Sequence, residues 1–468
     1  MLAWIGRSEV PCNHVVNLAK AEVNGNPAAS ALMRQFANVS ENDAEQGCHR
    51  VFRQHGYCAP VPVVRVDLGR GDGCLKTFPY IPLSGWLQWL LDRDRIWRQL
   101  CGCSSWDVMT REVLPEFWRR FKSIYSTHSI FDSKTDRQLS RTIPVFSHTD
   151  EGRSFKKDAL WLLSTAGCLG RGSQAWVDLD GHLAPLDQCG FGLNFLGATW
   201  STQFFFCSIL RSVVKENERV LNDIVAIYAK DLAFLFETGL TSSDGRKRIY
   251  VAHLANKGDL PALAKLGGLT QTFAHVPRGG ASRAAAKGIC HMCLAGQEQD
   301  DSKGKKAYPY EDFALKPAWL ETMHVEEAWQ STPEILRGAP LVPTERASFF
   351  AVDVFHNVHL GIAKHWIASS LVSVIERMDL DWGYSVDSKF EYLTAVFRTF
   401  CRENRITPHF TQLSRETVGW PSSRTVPIGQ WSKGSMSTHL MRFLEFFMSQ
   451  KLGPDDADEV LRCIELRR

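Results

Sequence analysis

RTIPVFSHTDEG, residues 141–152, reads as a β-strand that closes on polar residues. DALWLLST, from Asp158, reads as its neighbour, joined to it by the turn-like GRSFKK. TQFFFCSIL, from Thr202, is a third strand rich in strong β-formers. NERVLNDIVAIYAKDLAFLFETGL, from Asn217, then keeps a helical period at Val220, Ile224, Ile227, Leu232 and Leu235, with Gly239 placed as a C-cap. RKRIYVAHLANKGD, from Arg246, predicts a fourth strand running into a turn, and LPALAKLGG a short helix.

This order is three strands as a meander, a long crossover helix, and a strand that returns parallel to the first. Right-handed crossovers favour that packing. The expected fold is α/β, by analogy with the front half of a ribonuclease-H-like mixed sheet, with an insertion and a helical C-terminal region. Four segments follow. Residues 1–135 form an N-terminal α/β module, with a strand in VPVVRVDL, a helix in PLSGWLQWLLDRDRIWRQL and another in EVLPEFWRRFKSIY; the tryptophans there read as core packing. Residues 136–270 hold the front half of the sheet domain. Residues 271–345, with RGGASRAAAKGICHMCLAG and EQDDSKGKK, are an insertion. Residues 346–468 are helical.

Composition sets the frame for function. The chain has 468 residues, 44% hydrophobic and 22% charged, with a net charge of +3. These values suit a soluble globular protein and exclude a polybasic one, so any nucleic-acid contact must be local. Arg153, Lys156, Lys157, Arg246, Lys247 and Arg248 are candidates for phosphate contact. The thirteen cysteines and the absence of a signal pattern in MLAWIGRSEVPC point to a reducing compartment. The longest purely apolar run, FFFCSIL, falls well short of the ~20 residues of a bilayer span, so no membrane partner is expected.

Asp150 in SHTDEG and Asp259 in NKGDLPA end the first and fourth strands, which lie side by side in such a sheet. Two carboxylates there can share Mg²⁺ ions for phosphodiester chemistry; equally, Asp259 before LPA is well placed to cap a helix. Cys290 and Cys293 form a C-x-x-C that can hold one edge of a tetrahedral zinc. In AVDVFHNVHLGIAKHW, residues 351–366, Asp353, His356 and His359 share a helix face. His356 and His359 are candidates for the other half of a Cys₂His₂ site, and Asp353 either orients His356 or caps the helix. The apolar Val352, Phe355, Leu360 and Ile367 are expected to pack on the sheet.

The order GDLPALAKLGG (258–268), CHMC (290–293), DVFHNVHLGIAKH (353–365) and GQWSKGSMSTHLMRFLEFF (from Gly429) resembles the CACTA (En/Spm) group of DNA transposases over roughly residues 140–450. The resemblance implies a ribonuclease-H-like core with a DD[E/D] metal triad. Asp259 matches its second acid, and Asp150, in a looser context, its first. In relatives the third acid lies on a helix beyond the basic histidine segment. Here that segment nearly ends the sequence, as in a truncated or degenerate copy, and Asp353, Glu376 and Glu445 are the candidates. The implied activity is Mg²⁺-dependent cleavage and strand transfer at transposon ends, in the nucleus, with DNA as partner, a structural Zn²⁺, and room for a homo-oligomer. The alternative is a non-catalytic, transposase-derived zinc protein that binds DNA or protein.

Overall fold

The computed structural model describes residues 11–56, 59–68, 76–153, 158–170, 202–272, 288–377, 385–410 and 412–451. The chain forms two compact units, Met1–Ala351 and Val352–Arg468.

The first unit is mixed α/β. A small helical cluster of α1 (Cys12–Gly25), α2 (Ala31–Ala37) and α3 (Ala44–Gln54) buries Val15, Val16, Phe36 and Cys48 in a core of its own. A hairpin of β1 (Val64–Leu68) and β2 (Lys76–Tyr80) follows. The helix expected from Pro82 is two helices, α4 (Leu83–Asp92) and α5 (Ile96–Cys101). The charged run Asp92–Arg93–Asp94–Arg95 breaks it: Asp94 adopts a left-handed φ of 54°, a conformation Asp tolerates better than most residues. Together with α6 (Leu114–Ile124), these helices join the sheet's core through Leu87, Leu90, Leu100 and Trp118, whose indole donates to the Thr142 carbonyl at 3.0 Å. The tryptophan-rich stretch is therefore packing material.

The main sheet contains β3 (Thr142–Arg153), β4 (Ala159–Gly167), β5 (Gln203–Leu210), β6 (Leu240–Thr241), β7 (Arg248–Gly258) and β8 (Phe350–Val352). Its order is β5-β4-β3-β7-β6, and β8 also pairs with β7. β3–β4 and β4–β5 are antiparallel, and β3–β7 is parallel. A parallel neighbour requires a crossover. Here it is made by α7 (Arg211–Glu216) and α8 (Arg219–Glu237), the latter burying Val220, Ile224, Tyr228, Leu232 and Leu235. Gly239 follows α8 with φ 71°, and its amide closes onto the Phe234 carbonyl at 3.1 Å. A Cβ there would lie 2.2 Å from the Ile249 carbonyl oxygen, so only glycine fits. After β7 comes α9 (Leu260–Gly267). Residues 288–345 carry only turns, isolated bridges and short 3₁₀ segments.

The second unit is helical. A π-helical stretch, Phe355–Ile362, runs into α10 (Ala363–Arg377); α11 (Val386–Glu403) and α12 (Gly434–Lys451) follow. Ile367, Leu371, Phe397, Leu440, Phe443 and Phe447 build its core. Val352 lies in β8, which pairs with β7, but Phe355 and Ile367 correct the expectation of packing on the sheet. Ile367 packs among these helices rather than on the sheet, no residue of Phe355–Ile362 is buried, and Phe355 is 46% exposed. Among the described residues one helix, Phe355–Arg377, is long and apolar enough to cross a membrane, with a mean hydropathy of 1.3 over its most apolar window. It is compatible with a protein that has no membrane span, because its Ile367, Leu371 and Val374 fill the helical core.

Candidate functional site

The parallel ladder between β3 and β7 pairs Ser147 with Asn256, His148 with Lys257, and Thr149 with Gly258. Asp150 and Asp259 are each the next residue along. Gly258 makes the approach close: a Cβ there would sit 2.6 Å from the Thr149 carbonyl oxygen. Asp150 continues in β3 opposite Leu162 of β4, whereas Asp259 leaves the sheet and caps α9, its Oδ1 accepting from the Ala262 amide at 2.8 Å. The capping role read from DLPA and the adjacency to Asp150 thus coexist. Both side chains are partly exposed.

Beneath this edge lies a buried polar network that the sequence reading missed. Ser147 Oγ donates to Asn256 Oδ1 at 2.6 Å and lies 2.8 Å from His253 Nε2. Asn256 Nδ2 donates to Thr149 Oγ1 at 3.1 Å, and Thr165 Oγ1 lies 2.5 Å from the Tyr228 hydroxyl. Burial pushes the His253 pKa down to about 3, so the ring is neutral. The signal was present in the sequence. Ser147 and Thr149 alternate with residues of the other face, at positions where the strand should carry apolar side chains. One residue on, Glu151 pairs with Arg211 at 3.3 Å and approaches Lys265 at 3.9 Å.

The basic candidates divide. Lys156 and Lys157, and the side chain of Arg153, lie outside the described residues. Arg246, Lys247 and Arg248 sit at the start of β7, opposite the end that carries Asp259. Lys247 is paired with Asp94 and lies over the Trp97 ring, and Arg248 donates to the Thr238 carbonyl. At the carboxylate end Lys257 lies over the Phe146 ring, its nitrogen 3.5 Å from the centroid.

In the second unit, Asp353 Oδ1 accepts from the Phe355 amide and Oδ2 lies 2.8 Å from His356 Nδ1. Asp353 thus both caps the helix and orients His356. His359 Nδ1 lies 3.3 Å from Thr438 Oγ1, and its carbonyl accepts from Ser437.

Cys290 and Cys293 stand in a turn rather than at a helix start. The Met292 amide points at Cys290 Sγ, 3.4 Å away. The Cys293 thiol hydrogen-bonds Cys290 and, with the Met292 and Cys293 amides, pulls the Cys290 pKa down to about 6, while the Cys293 thiol is pushed up. The Gln271 side chain, with its amide nitrogen turned to the loop, donates to the Cys290 and Cys293 carbonyls at 2.8 and 2.9 Å. His291 anchors the loop from the other side by donating from Nε2 to the Phe350 carbonyl at 2.9 Å. This donor pair fits a thiophilic metal, because one sulfur is already favoured as thiolate and receives an amide hydrogen bond. Among the described residues, no three His, Cys, Asp or Glu side chains are gathered as a formed metal centre would be. The Cys290/Cys293 and His356/His359 pairs expected to share a zinc belong to different units.

No protein-family model matches the chain, and no curated protein matches it either.

Proposed function

We propose that the chain is a transposase-like protein with a ribonuclease-H-like core, and that Asp150 and Asp259 hold Mg²⁺ for cleavage and strand transfer of DNA. One observation carries this reading: the parallel β3–β7 ladder ends at Thr149 and Gly258, so the two aspartates are the next residues of adjacent strands. The strand order and the crossover through α8 support the fold, since a meander followed by a parallel fourth strand is its front half. Hard carboxylate oxygens suit Mg²⁺. When bound, the metal supplies an activated water or 3′-hydroxyl and a stabilised leaving oxygen. Asp150 would fix its position from β3, and Asp259 from the N-cap of α9 just beyond β7. Lys257, on the same edge, would meet the phosphate backbone. Asp353, the candidate third carboxylate, belongs to the other unit, where it bonds His356 and the Phe355 amide.

A second reading, a non-catalytic transposase-derived protein that binds DNA or protein, is favoured by two side-chain commitments. Asp259 caps α9, and Asp353 is bonded to His356 and to the Phe355 amide.

The test is cleavage and strand transfer on plasmid and oligonucleotide DNA in Mg²⁺ or Mn²⁺. On the catalytic reading the wild-type protein cleaves, and Asp150→Asn and Asp259→Asn each lower the rate at least about a hundredfold, the scale on which removing one group that stabilises transition-state charge acts. Metal-independent DNA binding that weakens steeply with salt, without cleavage, would replace it with the second reading.

A further inference from the structure

His324 stands out beside the cysteine loop. It is one of three non-glycine residues among those described with a left-handed backbone, φ 60°. Such a conformation is unfavourable in a residue with a side chain and persists where the surroundings enforce it. They do so here. The His324 amide donates to the Met292 carbonyl at 2.7 Å, inside the C-x-x-C itself. Thr322 clamps the same segment, accepting from the Leu294 amide at 2.9 Å and donating to the Trp319 carbonyl at 2.6 Å. His324 is thus held against Cys290–Cys293. Its ring Nδ1 is buried and has no hydrogen-bond partner among the described residues. An imidazole nitrogen left in that state is unfavourable unless something else satisfies it.

We propose that Cys290, Cys293 and His324 bind one zinc-class ion within the first unit, with His324 Nδ1 as the nitrogen ligand in place of His356 and His359. The inference rests on the reading that the insertion binds zinc, and it changes which residues do so. Two thiols and an imidazole are a zinc donor set. The other nearby histidine, His291, spends Nε2 on the Phe350 carbonyl, and so acts as an anchor for the loop. His356 and His359 direct their Nδ1 atoms to Asp353 and Thr438 within the second unit. The backbone bond to Met292 ties His324 to the cysteine loop, but the three side chains are not gathered, so metal binding must turn the His324 ring toward the sulfurs.

The test uses the full-length protein. Zinc is measured by elemental analysis after dialysis, then replaced by Co²⁺, whose thiolate charge-transfer absorption reports the number of bound sulfurs. Wild type should hold one zinc per chain and show the intensity of two thiolates. Cys290→Ser and His324→Ala should weaken zinc binding at least about tenfold, and His356→Ala should leave it unchanged. His324→Cys guards against a folding artefact, because it should retain the metal and raise the charge-transfer intensity by about half. Stoichiometric zinc with an unchanged Co²⁺ spectrum in both His324 variants would overturn the inference and leave a zinc insertion standing. Loss of zinc in His356→Ala would also overturn it. Absence of zinc from the wild type would overturn both the inference and the zinc reading beneath it.

Discussion

At the β3–β7 edge, two aspartates each follow the last residue pair of a parallel backbone ladder. In the insertion, two thiols are set together by a three-residue spacing along the chain and a ring of side-chain clamps. The first arrangement draws its position from a core that includes Trp161, Tyr228, Ile143 and Val251. The second draws it from Gln271, Thr322 and His291, each contributing a hydrogen bond or two. Positions set by a buried ladder are rigid before any ligand arrives. Positions set by a few polar clamps depend on what binds. The carboxylate edge should therefore answer to core and register substitutions, and the cysteine loop to metal.

The largest effect should come from the core under the edge. Trp161 is fully buried, and Trp161→Ala should destabilise the first unit by about 3–5 kcal/mol in a denaturant titration. Chelators should leave that sheet transition in place while raising amide exchange across residues 288–324. A sheet that melts on chelation would break the comparison.

Next in size is Gly258→Val. Its Cβ would press on the Thr149 carbonyl oxygen and hydroxyl, at 2.6 and 2.8 Å, and should cost about 1–3 kcal/mol. It should also force the strand ends apart and weaken any Mn²⁺ binding at the edge. Unchanged stability would mean that the ladder is looser than the register implies.

The buried network predicts a pH response of the sheet. His253 has a folded pKa of about 3, below its ordinary value of 6.5, so the unfolded chain binds the proton more readily between them. Its contribution is fully present above pH 6.5 and is lost as pH falls toward 3. His128, lowered to about 4 by burial, acts in the same direction. A His253→Gln variant should show a shallower loss of stability over that window, by up to one proton's worth of slope. Parallel curves for the two proteins would contradict the burial of a neutral ring.

The smallest effect separates two roles of one residue. Asp259→Ala removes the α9 cap and should cost about 1 kcal/mol. Asp259→Asn keeps an oxygen for the Ala262 amide and should be nearly neutral in a melt. If Asn restores stability and not metal binding, the carboxylate has a function beyond the cap.

Much of this edge was legible in the sequence. Alternating β-formers gave β3, β4, β5 and β7, the helical period gave α8, and the glycine at 239 stands in the left-handed position its residue type suggested. The meander-and-crossover order then set which strands are neighbours. The insertion was not legible in this way, because its shape comes from long-range side-chain bonds such as Gln271 to the Cys290 loop, which leave no period. Residues 351–367 misled for a related reason. An apolar stripe states that a helix is covered and not by what, and Ile367 turned out to serve the helical core. His324 gave no signal at all, since a lone histidine becomes informative only when its buried nitrogen is seen without a partner.

We propose that Asp150 and Asp259 bind metal where the β3–β7 ladder ends. Crystals of the full-length protein soaked in Mn²⁺ and measured at the manganese absorption edge test it most directly. The account predicts an anomalous peak bound to oxygens of both carboxylates at about 2.0–2.3 Å, the range of hard-cation ligation. Carboxylates more than about 8 Å apart, beyond the reach of a shared metal pair, or manganese bound elsewhere with none at this edge, would contradict it.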